Sequence, residues 1–159
     1  YYTELKKTMS EQDAFNKILA GSRDHARVPM QWTYGLNAGF SESEPWLDGG
    51  RDCETCNAQA QSLNKDSVLN YHRELISLRK EHSSLVYGDI RIVNKKEKNL
   101  FTYWRTDEKE IFYIECNLGS VPKKRKNAPQ GAVRALGNYP DAPESLLRPY
   151  EAVIWSAAR

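Results

Sequence analysis

Few cysteines and no long hydrophobic run are the first features of this sequence. Three of the 159 residues are Cys, an odd number, which argues against a disulfide framework. No apolar run approaches the ~18 residues that a helix needs to cross a bilayer, and no signal peptide is evident. We therefore expect a chain without structural disulfides and without a membrane partner.

An excess of charge of one sign is also lacking. Lys and Arg number 23 and Asp and Glu number 21, for a net charge of +2. This balance indicates an ordinary solvated surface rather than a nucleic-acid partner. We interpret the one basic run, 122–126, as a solvated hairpin tip between two strands. The alternative, a nuclear-import or nucleic-acid patch, lacks flanking aromatic residues for stacking.

Cys53 and Cys56 form an isolated C-x-x-C pair. A zinc site would need a second pair of ligands, and Cys116 with three scattered His residues does not supply one. A redox motif is typical of a helix start directly after a strand, whereas this pair follows the loop 48–52. We interpret both as reduced thiols of a cytoplasmic protein, with no metal and no cofactor.

The first half of the chain predicts helices and loops. Ser10 is expected to cap a helix that Gly21 ends. Asp66 is expected to cap a second helix over 67–80, whose apolar stripe contains Val68, Leu69, Leu75, Ile76 and Leu78. Burial of this stripe is worth roughly 6–15 kcal/mol, so it needs a partner. We expect it to pack on the strands that follow or to cause self-association.

Beyond Gly88 the hydrophobic period changes to two. Strands are expected near 90–93, 100–104, 111–114, 132–136 and 150–155. Five short strands at this spacing predict a small antiparallel β-sandwich. The predicted fold class is α+β, with a helical and loop lead-in followed by the β-domain. The aromatic-rich loop 22–65 is too long for a simple connection and is expected to be functional.

Residues 22–32 carry the most specific pattern in the chain. They read S-R-D-H-A-R-V-P-M-Q-W, which resembles the S-R-D-x-A-R-T-P-M-Q-W segment of the oligo-1,6-glucosidase and α-glucosidase group. That group belongs to glycoside hydrolase family 13, the α-amylase superfamily. Similar segments follow in the same order at 37–40, 45–47, 66–68, 75–80, 86–88 and 147–153. Val28 in place of Thr and Thr33 in place of Asp are departures from the family pattern.

The resemblance implies a (β/α)8 barrel followed by a C-terminal β-domain. Residues 1–85 would be the end of the barrel with its last helix, and 86–159 the β-domain. The nucleophilic Asp, the acid/base Glu and the third Asp of the family lie upstream of this segment, and none of their motifs occurs here. We therefore expect no catalytic residue in this chain. We also expect the chain to be a piece of a longer α-glucosidase, since Tyr1 lies in what reads as the middle of a helix. Because the catalytic acids are missing, we expect this piece to be inactive.

By resemblance, Arg23 and Arg27 are the substrate-binding residues, and an α-linked glucose oligosaccharide is the partner. A guanidinium offers five donors in a rigid fork, which suits the hydroxyls of a neutral sugar. The spacing of four residues places both on one face if 22–27 forms a helical turn. The alternative is that they hold the loop through Asp24 or Glu42.

Other functional classes remain open at this point. Some relatives of these glucosidases are non-catalytic accessory subunits of transporters, and the β-domain is also conceivable as a separate carbohydrate-binding module. Met30, Trp32 and Trp46 are interpreted as loop anchors rather than as a sugar platform. The sequence does not distinguish among α-1,6 and α-1,4 linkages, sucrose and trehalose-6-phosphate as substrates.

Overall fold

The computed structural model describes residues 1–49, 52–94, 96–125, 130–142 and 145–158. These residues form two compact units, 1–69 and 70–159. No helix in the described part of the chain is long and apolar enough to cross a membrane. The boundary between the units falls inside a helix, whereas the boundary that the family resemblance implies, after residue 85, stays a prediction.

The first unit contains short helices and a long loop. The helices are α1 (Tyr2–Leu5), α2 (Glu11–Gly21) and α3 (Ala58–Leu63), and the loop contains two 3₁₀ turns, Asp24–Ala26 and Leu36–Gly39.

Helix α2 begins and ends as expected. The Ser10 hydroxyl oxygen accepts a hydrogen bond from the Asp13 amide at 3.1 Å, and Gly21 is the last helical residue.

Helix α4 (Val68–Glu81) lies close to its predicted span, but its cap differs. Ser67 directly precedes the helix, whereas the Asp66 amide donates to Asn64 Oδ1 in the preceding turn. The prediction that Asp66 caps this helix is therefore wrong. A short helix, α5 (Ser83–Tyr87), follows. Gly88 then leads directly into the first strand, where an added Cβ would lie 2.5 Å from the Ser84 carbonyl oxygen, so this close approach requires glycine.

Among the described residues beyond Gly88 there are seven strands, and all of their pairs are antiparallel. Their bounds are β1 (Asp89–Val93), β2 (Leu100–Thr106), β3 (Glu110–Asn117), β4 (Lys123–Lys124), β5 (Val133–Gly137), β6 (Leu146–Leu147) and β7 (Ala152–Ala158). The five strands predicted from the sequence form one sheet in the order β1-β2-β3-β7-β5. β4 and β6, which the sequence did not predict, pair separately. The α+β class with an antiparallel β-domain is confirmed.

The last strand begins later than the sequence indicated. Tyr150 has a φ of 56°, in the left-handed region, and its amide donates to the Gly119 carbonyl in a turn. Strand β7 therefore begins at Ala152 rather than at residue 150.

Both faces of the sheet are covered by apolar clusters. On one face, Leu85 packs with Phe112 and Ile114, and Leu78 of α4 joins them. On the other face, Leu100, Leu147 and Val153 form a second cluster. The alternation along β3 thus places even-numbered residues against the helices and odd-numbered ones beneath the β4–β6 pair.

The apolar stripe of α4 is only partly covered. Leu78 packs in the helix-facing cluster, and Leu75 is half-buried, whereas Val68 and Ile76 are more than half exposed. The expected packing of the stripe on the strands is therefore found for one part of the helix face only. Self-association stays a prediction.

Candidate functional site

Arg23 and Arg27 flank a single 3₁₀ turn in the first unit. The Ala26 amide donates to the Arg23 carbonyl at 3.0 Å, and the Arg27 amide donates to the Asp24 carbonyl at 3.0 Å. The turn ends before Val28, as expected because Pro29 disfavours helix at the residue before it. Pro29 itself is buried, and it anchors the end of the turn.

The turn is 3₁₀ rather than α-helical, which changes its geometry. In a 3₁₀ helix, residues three apart eclipse each other, while residues four apart do not. Arg23 and Arg27 also have φ values of −114° and −120°, outside the regular helical range. Their placement on one face of an α-helix is therefore not what this turn provides. Their role in substrate binding stays a prediction.

Both arginine side chains are exposed. Within the described ranges, no carboxylate lies at ion-pair distance from either guanidinium. The alternative in which Asp24 or Glu42 pairs with these arginines to hold the loop therefore finds no support among these residues. Chemically, the two groups present unneutralised donor forks, suited to hydroxyl oxygens or to a carboxylate supplied by another segment.

A left-handed turn follows the arginine segment and fixes the course of the loop. Asn37, Ala38 and Gly39 have φ values of 49°, 55° and 70°. The Asn37 side-chain amide donates to the carbonyl oxygens of Ser41 and Ser43, both at 3.0 Å. Asn and Gly tolerate this region of backbone space better than other residues, which accounts for Asn37 and Gly39, whereas Ala38 adopts it without that advantage.

Thr33 belongs to the same turn, although the sequence showed it only as a departure from the family pattern. Its hydroxyl oxygen accepts a hydrogen bond from the Gly35 amide at 3.1 Å. A Cβ at Gly39 would lie 2.5 Å from that oxygen. Asp, the residue at this position in the family pattern that the sequence resembles, also carries a side-chain acceptor oxygen, so Thr33 retains the local turn chemistry. Sequence reasoning missed this function of Thr33.

The three side chains interpreted as loop anchors are more exposed than expected. Trp46 is 82% exposed, and Met30 and Trp32 are about half exposed. The interpretation of Trp46 as a loop anchor is wrong for this chain, since the ring has little contact with other residues.

A pair of buried carboxylates lies in the second unit, and the sequence did not reveal it. Glu115 and Glu151 are 1% and 0% exposed, and both approach Arg125, whose side chain is 3% exposed. Arg125 Nε lies 3.2 Å from Glu115 Oε2, and Arg125 Nη2 lies 3.8 Å from Glu151 Oε1. The Trp155 indole donates to Glu115 at 3.0 Å.

This carboxylate pair resembles a glycosidase pair only in its electrostatics. Burial raises the pKa of Glu115, and the Arg125 charge and the Trp155 hydrogen bond oppose that rise. Retaining glycosidases need two carboxyls ~5–5.5 Å apart on either side of a bond that enters between them. Here Arg125 lies against both carboxylates, and both are sealed from solvent, so a sugar cannot reach them. They are structural acids.

The basic run 122–126 is not simply a solvated tip. Lys123 and Lys124 form β4, and Arg125 is the buried cation just described. Lys126 lies outside the described residues. The interpretation of this run as a solvated hairpin tip is therefore wrong for Arg125, because two carboxylates neutralise it inside the domain.

We compare the C-x-x-C pair and the His residues with the requirements of a metal centre. The described residues contain no cluster of three or more His, Cys, Asp or Glu side chains arranged to hold an ion. Cys53, Cys56 and Cys116 are all free thiols. His72 is exposed on α4, as expected for a residue of the helix surface.

Comparison with known proteins identifies the family of this chain. The model of the α-amylase catalytic domain matches residues 2–88. A probable oligo-1,6-glucosidase of Bacillus subtilis strain 168 is 36% identical over an aligned length of 158, and the match covers 95% of this chain and 28% of that protein. The trehalose-6-phosphate hydrolase of Escherichia coli K12 is 31% identical over an aligned length of 166, and the match covers 97% of this chain and 29% of that protein.

The fold agrees with this match. The crystal structure of Bacillus licheniformis trehalose-6-phosphate hydrolase superimposes with a TM-score of 0.89 at 26% identity, over 99% of this chain and 30% of that one. This chain thus spans less than a third of the length of the relatives that it matches. Its sequence and fold place it in the α-amylase family of glycoside hydrolases, alongside the oligo-1,6-glucosidases and α-glucosidases.

Proposed function

We propose that this chain is the C-terminal part of a retaining, exo-acting α-glucosidase that hydrolyses short α-glucosides. In this proposal the chain supplies Arg23 and Arg27 to sugar binding and contributes the β-domain. The catalytic acids belong to a preceding barrel segment. The three free cysteines are compatible with the cytoplasmic location that we propose for the protein.

One observation carries the proposal for the arginines. Two guanidinium groups flank a short turn, are exposed, and have no carboxylate partner among the described residues. Ion pairing is the usual way in which proteins use arginine side chains internally. Two arginines that flank one short turn and lack ion pairs are suited to a ligand or to acidic groups from the barrel. In an active site the same forks would orient glucose hydroxyls against the catalytic carboxylates.

The test uses the intact enzyme that contains this segment. Arg23→Lys and Arg27→Lys each keep the charge but remove the planar fork. A hydrogen bond to a charged group contributes about 1.5–3 kcal/mol, so loss of one such bond corresponds to a decrease in kcat/KM of about 10- to 150-fold. The assay is hydrolysis of p-nitrophenyl α-glucoside and of isomaltose.

Arg73→Lys is the matched control, because Arg73 is an exposed arginine of α4 that hydrogen bonds to Asn70. We expect its kcat/KM to change less than twofold. Equal, small effects at Arg23, Arg27 and Arg73 would refute the assignment of the sugar-binding arginines. An intact protein without any hydrolysis would instead refute the enzymatic proposal and favour a non-catalytic accessory subunit.

A further inference from the structure

Cys53 and Cys56 lie together in one helical turn of the first unit. The Thr55 and Cys56 amides both donate to the Asp52 carbonyl, at 2.9 and 2.7 Å. These are the 3₁₀ and α-helical hydrogen bonds of a single turn that contains both cysteines. Cys56 is exposed, and Cys53 is partly exposed, so a small reagent in solution can reach the pair.

The geometry of such a turn is close to that of a disulfide. Residues three apart on a helix have Cβ atoms about 5–6 Å apart, while a disulfide needs a Cβ separation of about 3.5–4.5 Å. Closure therefore requires the two Cβ atoms to approach by about 1–2 Å. A surface turn with no buried side chain between residues 52 and 56 can make this adjustment locally.

Both cysteines take part in hydrogen bonds, Cys56 through its sulfur atom and Cys53 through its carbonyl oxygen. The Gln61 side-chain amide donates to Cys56 Sγ at 3.7 Å. The Asn57 side-chain amide donates to the Cys53 carbonyl at 2.8 Å, and Asn57 Oδ1 caps α3 by accepting from the Ala60 amide at 2.8 Å. The turn is thus fixed to the start of α3, and its thiols are not on a free loop.

The same turn is hydrogen bonded to the loop segment that follows the two arginines. The Gln31 side-chain amide donates to Asp52 Oδ1 at 2.9 Å. The Ala58 amide donates to the Gln31 carbonyl and the Gln59 amide to the Trp32 carbonyl, both at 3.0 Å. A covalent constraint on the turn therefore acts on the segment that continues back, through buried Pro29, to Arg27.

We propose that Cys53 and Cys56 are a reversible dithiol site that a small-molecule disulfide of the glutathione class oxidises to an intramolecular disulfide. One cysteine thiolate attacks the small disulfide and forms a mixed disulfide, releasing one reduced thiol. The second cysteine then attacks the protein sulfur of that bond and releases the second reduced thiol. The chain loses two protons and two electrons, and the small disulfide is reduced to two thiols.

The proposal of this dithiol site does not depend on the proposed sugar-binding role of the arginines. Cys116 gives an internal reference, because it is partly buried in the helix-facing cluster of the sheet. Burial raises the pKa of the Cys116 thiol, which disfavours its thiolate. Cys116 is therefore expected to stay reduced under conditions that oxidise the 53–56 pair.

The test equilibrates the purified chain with stepped ratios of oxidised to reduced glutathione, followed by alkylation and peptide mass spectrometry. We expect a 53–56 disulfide in a chain lighter by two hydrogen atoms, with Cys116 alkylated. Cys53→Ser and Cys56→Ser should each retain glutathione on the remaining cysteine, because no second thiol resolves it. Stable glutathione adducts on the wild-type chain, or no oxidation of the pair, would overturn the proposal.

Pre-organisation by the fold is tested separately. In guanidinium chloride the turn is lost, so we expect the disulfide to need an at least tenfold more oxidising glutathione ratio than in the native chain. Equal ratios in both conditions would show that the fold contributes nothing to the site.

Amide hydrogen exchange tests the connection to residues 31–32. Oxidation should slow exchange of the Ala58 and Gln59 amides several-fold and leave Ile114 in β3 unchanged. Unchanged exchange at Ala58 and Gln59 would overturn the connection.

Discussion

Substitution of Arg125 should lower the stability of the β-domain more than any surface substitution does. In Arg125→Met the apolar stem is largely kept and only the guanidinium is lost. The substitution removes the cation 3.2 Å from Glu115 and 3.8 Å from Glu151, and it also removes the contact with the Trp155 ring, whose centroid lies 5.0 Å away. Two carboxylates that are nearly inaccessible to solvent then remain without their shared counter-charge.

The expected magnitude follows from the burial of the partners. Removal of one member of a buried ion pair costs about 3–5 kcal/mol, because a charge is left desolvated and unpaired. Glu115 still accepts a hydrogen bond from Trp155. Glu151 still accepts one from the Arg148 amide at 2.7 Å, and the Arg148 guanidinium Nε lies 3.7 Å from Glu151 Oε2. These bonds moderate the loss, so we expect about 3 kcal/mol. The total stability of a domain is only about 5–15 kcal/mol.

Urea unfolding followed by tryptophan fluorescence measures this loss. With a urea m-value of about 1–3 kcal/mol/M, a loss of 3 kcal/mol lowers the midpoint by about 1–3 M. Lys124→Met is the matched control, since Lys124 is exposed in the neighbouring strand β4 and should change stability by no more than about 0.5 kcal/mol. If Arg125→Met lowers the midpoint no further than Lys124→Met, the buried ion pair does not stabilise the fold.

The effect should also depend on pH. Burial already raises the pKa of Glu115, and Arg125 opposes that rise, so the pKa of Glu115 rises further in Arg125→Met. An acid with a raised folded-state pKa binds more protons in the native than in the unfolded state, so its stability contribution falls as pH rises. The loss of stability of Arg125→Met relative to wild type should therefore grow as the pH rises above the ordinary pKa range of a glutamic acid. A loss that shrinks as the pH rises would contradict the assignment.

Two further predictions concern the first unit and the exposed helix. Gly39→Ala should lower the free energy of unfolding by about 1–3 kcal/mol, because Ala at a φ of 70° is strained and its Cβ would meet Thr33 Oγ1 at 2.5 Å. The control is Gly21→Ala, because no atom lies within 4 Å of an added Cβ there. It should be neutral or slightly stabilising in the same urea assay. The exposed Val68 and Ile76 of α4 predict binding of a hydrophobic dye and concentration-dependent self-association in sedimentation velocity; a monodisperse monomer without dye binding would contradict this expectation.

The elements that follow from short-range patterns were predictable from the sequence. The serine cap of α2, the helix near 67–80 and the five main strands all arise from side-chain periodicity and local backbone preference. Errors of one or two residues occurred where a single contact decides the boundary. Tyr150 is an example, since its positive φ is stabilised by a hydrogen bond to Gly119, thirty-one positions earlier in the chain.

Long-range charge pairing was not predictable. Arg125 stands in a run of four basic residues, and such runs are usually solvated, because Lys and Arg are rarely buried unless they are paired. Its partners are ten and twenty-six residues away: Glu115 lies in β3, and Glu151 directly precedes β7. Only the pairing of β3 with β7 brings both carboxylates to one place, and no local pattern encodes that proximity.

The candidate sugar site shows the same division between local and distant information. The turn around Arg23 and Arg27 is local, and Pro29 indicated where it ends. Whether those guanidiniums have partners depends on residues far away in sequence. Internal arginines of this chain find their partners: Arg148 binds Asp141 at 2.7 Å, and Arg134 donates to the Pro140 carbonyl at 2.8 Å. Arg23 and Arg27 differ from Arg148 and Arg134 in that neither guanidinium has an ion pair or a side-chain hydrogen bond within the described residues. In our proposal, a substrate or an acidic barrel segment supplies the physical complement to these two groups.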